Sequence, residues 1–237
     1  GDLGVSYQEP DTTVAEIIGR TWPVTVSLGL AALLAAVALG TGLGILRAVS
    51  KSRIVREGIL AGGMLAAGIP NFAVAILLLL VFSVKLGWFP AAGLLTPAHY
   101  VLPVISLALY PAAVISRLTG NTLSAELGKQ YVLFARAKGL GRGRIIFTHA
   151  LKNAWIPVLN YVGPASAFLL TGSFVVESIF TIPGLGREFV SSITNRDYTL
   201  ILGLTVFMGM VVILVNLVTD LVCAWMDPRM RRSYRGR

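Results

Sequence analysis

The side chains in this sequence that could do chemistry are few, and most of them are gathered in one place. Residues 131–157 carry Arg136, Lys138, Arg142, Arg144, His149 and Lys152, with no acidic residue among them. Cations at that density hold acidic surfaces or phosphates; they do not by themselves attack a carbonyl or relay a proton. The two histidines, His99 and His149, are far apart and have no cysteine near them, so no metal-ligand set is present. Cys223 stands alone in an apolar run and reads as a small packing residue. Gly139-Leu140-Gly141-Arg142-Gly143 lacks the Lys-Ser/Thr ending of a phosphate loop, and no Gly-x-Ser-x-Gly occurs. Gly40-Thr41-Gly42-Leu43-Gly44 imitates a dinucleotide fingerprint, but no strand precedes it. The expectation is a chain with no catalytic, cofactor or metal site that holds a partner instead.

The elements that must position this basic stretch are apolar. Only 13% of the 237 residues are charged and the mean hydropathy is +0.77, too little charge to cover a soluble domain of this size. An all-α integral membrane protein is the class that fits. Five uncharged or nearly uncharged runs are expected to span, at about 22–46, 59–84, 100–118, 155–176 and 199–225. At ~1.5 Å per residue each can cross a hydrocarbon core of about 30 Å. Gly40 and Gly44 form a small-residue pair that would let a second helix come close. Pro70 is expected to kink the second span, with Asn71 either satisfying the freed carbonyl or facing a pathway. Ser166 and Ser173 in the fourth span fit close packing or the wall of a polar path.

Two loops stand out. In the basic loop, about 119–154, a helix over about 126–138 should stop at Gly139, where a left-handed residue can turn the chain. Leu133, Phe134 and Leu140 would then offer apolar surface and Arg136 and Lys138 charge. The alternative is a solvated loop whose cations serve topology alone. In the other loop, 177–198, Pro183-Gly184 reads as a turn, and Leu185, Phe189, Val190 and Ile193 recur at helical spacing. A short amphipathic helix on the membrane face follows.

Charge orients the chain. Loops 47–57 and 117–154 with the tail hold sixteen Lys/Arg, against four in 1–21, 85–99 and 177–198. The basic set belongs in the cytoplasm, with the C-terminus. Positive charge is therefore topological, and nucleic acid drops out as a partner. Residues 1–21 fall outside, so a further N-terminal span upstream of Gly1 is expected.

Ala135-Arg136-Ala137-Lys138-Gly139-Leu140 followed by His149-Ala150-Leu151-Lys152-Asn153-Ala154 and Pro157 resembles the cytoplasmic EAA loop of bacterial ABC-importer permeases. Leu133 and Phe134 replace the Glu-Ala of that pattern and Lys152 its proline, departures that fit the dipeptide/oligopeptide/nickel permease family. Gly1-Asp2-Leu3-Gly4 with Ser6, Ile69-Pro70-Asn71-Phe72, Glu177-Ser178-Ile179-Phe180, Pro183-Gly184-Leu185-Gly186, Asn195-Arg196-Asp197-Tyr198 and Asp227-Pro228-Arg229 resemble the same family.

The resemblance implies a type I ABC-importer-like transmembrane domain in a bacterial inner membrane. Its partners would be a second homologous permease subunit, two cytoplasmic ABC ATPases that bind the ATP and Mg, and an extracytoplasmic solute-binding protein. Leu133, Phe134, Ala135, Arg136, Lys138, Gly139, Leu140 and His149 would form the ATPase-coupling surface. Glu177, Pro183, Gly184, Arg187, Arg196 and Asp197 would meet the binding protein or form an external gate, and Pro70, Asn71, Ser166 and Ser173 would line the pathway. Small peptides are the expected cargo, with nickel complexes or glutathione as alternatives. A secondary transporter would want ionisable groups at mid-membrane, which this chain scarcely has. An intramembrane protease would want a histidine within a span interior, and neither histidine lies in one.

Overall fold

The computed structural model describes residues 3–226, so Gly1-Asp2 and Asp227-Pro228-Arg229 of the motifs above lie outside the described residues. The described chain is helical. α1 (Val14–Val49), α2 (Arg53–Gly68) and α3 (Asn71–Leu78), which widens into π-helical turns over Leu79–Lys85, come first. α4 (Pro97–Leu127) and α5 (Gln130–Ala137) follow. A return segment then runs through α6 (Arg142–Arg144), π-helical turns (Ile145–Ala150) and α7 (Leu151–Ala154). α8 (Ile156–Thr171), α9 (Phe174–Ile179), α10 (Leu185–Thr194) and α11 (Tyr198–Met226) complete the described chain. Val14–Val49, Pro97–Leu127, Ile156–Ile179 and Tyr198–Trp225 are long and apolar enough to cross a membrane, and Arg53–Gly68 with Asn71–Lys85 adds a fifth if the pair is one broken span.

Several bounds differ from expectation for physical reasons. α1 starts at Val14 rather than near Trp22 because Thr13 and Glu16 form a reciprocal capping box. Thr13 N–H donates to Glu16 Oε2 at 2.9 Å and Glu16 N–H to Thr13 Oγ1 at 3.2 Å. α4 continues past Leu118 to Leu127, with Thr119 and Leu123 buried, because no proline interrupts it and Gly120 is kept helical by its packing on Gly44 and Arg47. The expected helix over 126–138 is divided there, and α5 begins at Gln130. Pro70 does not kink a continuous helix. It stands ahead of α3 with an extended ψ of 140°, the position where a missing N–H loses no helical bond. The fourth span breaks at Gly172, whose φ of +107° no helix accommodates.

The chain forms two compact units. The first comprises Gly1–Ala35, Ile69–Tyr110 and Pro164–Asn216. Its core joins Val14, Ile17 and Ile18 of α1 to Leu185 of α10 and Leu200, Leu204 and Met208 of α11, with Trp22, Phe189 and Phe207 against them. Trp22 meets Phe207 edge-on at 5.2 Å and donates its indole N–H to the Leu170 carbonyl. The second unit comprises Ala36–Gly68, Pro111–Gly163 and Leu217–Arg237. Here α1 and α4 touch at the Gly40/Gly44 pair. A Cβ at Gly40 would stand 2.7 Å from the Ala112 carbonyl oxygen, and one at Gly44 2.5 Å from Thr119 Cβ.

Candidate functional site: a docking hairpin and a clasped helix

The basic stretch folds as a hairpin in the second unit. α5 turns Val132 and Ala135 inward, where they pack with Ile145, Leu127, Tyr131 and Leu140. The opposite face leaves Leu133 57% and Phe134 68% exposed, with Arg136 and Lys138 exposed beside them. Gly139 closes the helix at φ +75°, its N–H donating to the Arg136 carbonyl at 2.9 Å and that of Leu140 to the Ala135 carbonyl at 3.2 Å. This pair of bonds is a Schellman cap, and it draws Leu140 back onto the helix. Ala135 is buried and Leu140 half-buried against its cluster, so Leu140, expected to offer apolar surface, gives part of that surface to the hairpin's own packing. His149 is exposed on the return segment, as is Phe147 at 62%, which sequence reasoning passed over.

The hairpin is anchored at several points. Leu123, Ile146, Ala150 and Ala154 pack together against Ile45, Ala48, Val49, Leu127 and Leu151, tying the return segment to α4 and α1. Thr122 Oγ1 donates to the Ala154 carbonyl at 2.8 Å. The Arg142 guanidinium donates to the Val49 carbonyl at 2.8 Å, placing a cation on an orphan carbonyl at the end of α1. Glu126, in the last turn of α4, accepts from Tyr131 Oη at 2.8 Å and pairs with Lys129 at the start of α5.

The residues expected on the outer loop split by burial. Pro183, Arg187 and Arg196 are exposed, whereas Glu177, Gly184 and Asp197 are buried. In this conformation the latter three are out of a partner's reach, because their polar groups are consumed internally. Glu177 accepts from the backbone N–H of Ser173 at 3.1 Å, Gly186 at 2.9 Å and Arg187 at 3.2 Å, and from Thr25 Oγ1 at 3.2 Å. Ser173 thus serves the Glu177 cluster. Ser166 is buried on α8, and Pro70 and Asn71 stand ahead of and at the start of α3.

Asp197 is the N-cap of α11: its Oδ1 accepts from Leu200 N–H at 3.0 Å and its Oδ2 from the Ser6 hydroxyl. Ser6 Oγ in turn accepts from the N–H of Gln8 at 3.1 Å and of Glu9 at 3.0 Å, while Gln8 Nε2 donates to the Asn195 carbonyl. Two motifs far apart in sequence are thereby joined. Burial pushes the Asp197 carboxyl up. The Ser6 hydroxyl and the amides of Leu200, Tyr7 and Gln8 outweigh that and hold it below its usual range.

Comparison with known proteins agrees with this architecture. The model of the family described as "Binding-protein-dependent transport system inner membrane component" matches residues 40–232. The dipeptide transport system permease protein DppB of Bacillus subtilis (strain 168) is 40% identical over 235 residues, 99% of this chain and 76% of its own length. The oligopeptide transport system permease protein OppB of Salmonella typhimurium is 40% identical over 233 residues, 98% of this chain and 76% of its own. Among solved structures, a chain of the inward-facing MetNI methionine ABC transporter superimposes with a TM-score of 0.72 at 18% identity, covering 90% of this chain and 97% of that one. The fold is that of type I ABC-importer transmembrane domains.

Proposed function

The chain belongs to the binding-protein-dependent transport system inner membrane component family, and we propose that it is the permease subunit of an ATP-driven importer of small peptides. It is a multi-pass inner-membrane protein. In this reading it forms half of the pathway with a second permease subunit, takes cargo from an external binding protein, and leaves ATP and Mg to two cytoplasmic ATPases. The cargo follows the names of the dipeptide and oligopeptide relatives.

The observation that carries the coupling role is the bare pair Leu133 and Phe134. They sit on one face of a helix whose other face is packed and whose end is closed by Gly139. Large apolar side chains displayed together on a rigid element mark a docking surface, and Arg136 and Lys138 suit an acidic rim around the receiving groove. Anchors to α1 and α4 would carry a displacement of the hairpin into the spans. The excess of Lys/Arg in loops 47–57 and 117–154 supports a cytoplasmic side for this hairpin.

Co-purification tests it. The double variant Leu133→Asp/Phe134→Asp is expected to reach the membrane as the parent does and to lose its ATPase subunits. ATPase retention at parental stoichiometry would contradict the docking role. Mass spectrometry of the small molecules bound to the co-purified binding protein reads the cargo, and a ligand other than peptide would overturn that part of the reading.

A further inference from the structure

Glu177 is fully buried within a stretch apolar enough to cross a membrane. An ionisable group there is expensive unless its lone pairs are all engaged. The ion pairs of the described residues, Arg20–Glu9 and Lys129–Glu126, do not involve it. Every polar atom it meets is a donor: the backbone N–H of Ser173, Gly186 and Arg187, and the Thr25 hydroxyl. Thr25 Oγ1 itself accepts from Leu185 N–H at 2.8 Å, which leaves its proton for the carboxylate. The first three amides of α10, those of Leu185, Gly186 and Arg187, have no acceptor within their own helix. Thr25 and Glu177 satisfy all three, with the carboxylate at the positive end of the helix dipole.

The surroundings are cut to admit this carboxylate. A Cβ at Gly184 would stand 2.3 Å from Glu177 Oε2 and 2.6 Å from Thr25 Oγ1. One at Gly186 would lie 3.1 Å from the same carboxylate oxygen. The cluster thus joins residues 152 positions apart and ties α9 and α10 to α1 through a single carboxylate and a single hydroxyl.

We propose that Glu177 is a positioning residue of the transport machine. With Thr25 it fastens the α9–α10 hairpin to α1, so that the three move as one body through the cycle. The inference rests on the transport reading for its role in the cycle, but the clasp itself is testable without it. Because all its partners donate, glutamine is not an innocent isostere here: its amide N–H₂ would face N–H groups, whereas a carboxyl that worked protonated would tolerate the change.

The test uses the full complex with its ATPase subunits in lipid nanodiscs. Hydrogen exchange of fragments covering 184–188 is compared with fragments covering 100–118 for Glu177→Gln, Thr25→Val and Thr25→Ser. Glu177→Gln and Thr25→Val are expected to exchange at least about tenfold faster over 184–188, the factor that losing ~1.4 kcal/mol of protection gives. Exchange over 100–118 stays parental, and Thr25→Ser, which keeps the hydroxyl, stays parental throughout. In proteoliposomes, uptake of radiolabelled alanyl-alanine per ATP hydrolysed is expected to fall in the first two variants and recover in Thr25→Ser. Parental exchange over 184–188 in Glu177→Gln overturns the proposal, as does a Thr25→Ser variant as fast as Thr25→Val. Should Glu177→Gln fail to accumulate in the membrane, the Thr25 pair decides on the same criteria. If the parent takes up no peptide while the exchange pattern holds, the cargo reading fails and the clasp stands.

Discussion

The hairpin at 130–154 and the hairpin at 174–194 close their helices by the same hydrogen-bond pattern and treat their surroundings in opposite ways. α5 ends on Gly139, at φ +75°, and a Cβ built there would meet nothing within 4 Å. α9 ends on Thr181 at φ +52°, with Thr181 N–H on the Ser178 carbonyl and Ile182 N–H on that of Glu177. α10 ends on Arg196 at φ +56°, with Arg196 N–H on the Ile193 carbonyl and Asp197 N–H on that of Ser192. A β-branched residue in the left-handed region is strained, whereas glycine is not. Where glycine is spent near α10, at Gly184 and Gly186, it makes room for a carboxylate. The basic hairpin keeps open space around its turn, which is what the proposed docking role would need. The other hairpin turns its polar groups inward and tolerates strain at its caps, as an element that must hold a fixed orientation needs.

The comparison breaks most readily at Gly139. Gly139→Trp is expected to leave membrane insertion intact and abolish ATP-driven uptake, because the bulk enters the open face and the backbone resists φ +75°. Uptake with substrate-stimulated ATP hydrolysis at parental levels would show that the face is not used. Next in size, Gly184→Ala should lower stability by about 1–3 kcal/mol through overpacking against Glu177 and Thr25, read as a lower melting temperature in detergent. An unchanged melt would mean the cradle has slack.

Asp197→Asn tests the clasp between Ser6 and α11. A carboxyl held below its ordinary value stabilises the fold above its unfolded pKa, and that contribution is lost as pH falls through the folded pKa. The parent should therefore lose protection of residues 6–9 on acidification, and Asp197→Asn should show weak protection with little pH dependence. Hydrogen exchange across an acid titration checks both. The smallest effect is expected from Thr181→Gly, where relief of left-handed strain, about 1–2 kcal/mol, is partly offset by glycine's chain entropy, about 0.5–1 kcal/mol. A slightly higher melting temperature is the expected result; a drop would mean that Thr181 contributes contacts outweighing its strain.

Apolar length and low charge content made the membrane class legible, because both are sums over many residues. The exposed face of the basic hairpin was legible where spacing suffices: Leu133, Phe134 and Gly139 announce a capped helix with a bare side. Its inner half was not, since whether Ala135 and Leu140 face in depends on how the return segment packs. The Thr13–Glu16 capping box was readable at its Thr-x-x-Glu spacing and was passed over among polar residues. Asp197 ahead of an apolar run carried the signature of a helix N-cap as well. The burial of Glu177 had no local sign. Its donors come from 173, 186 and 187 and from Thr25 across the fold, and only tertiary structure brings them together.

The bond between Ser6 and Asp197 spans 191 residues of chain. A ribosome adding about 5–20 residues per second needs roughly 10–40 s to travel that distance. Through that interval the segment around Ser6 has been made and its acceptor has not. The amides of Gln8 and Glu9 already have Ser6 Oγ as their acceptor, but the Ser6 hydroxyl proton must stay with water until Asp197 is delivered. This contact therefore forms only after residue 197 has been made. A chain stalled before residue 197 would hold its N-terminal segment only by local bonds such as those of Ser6 to Thr12 and Val14 to Gly4.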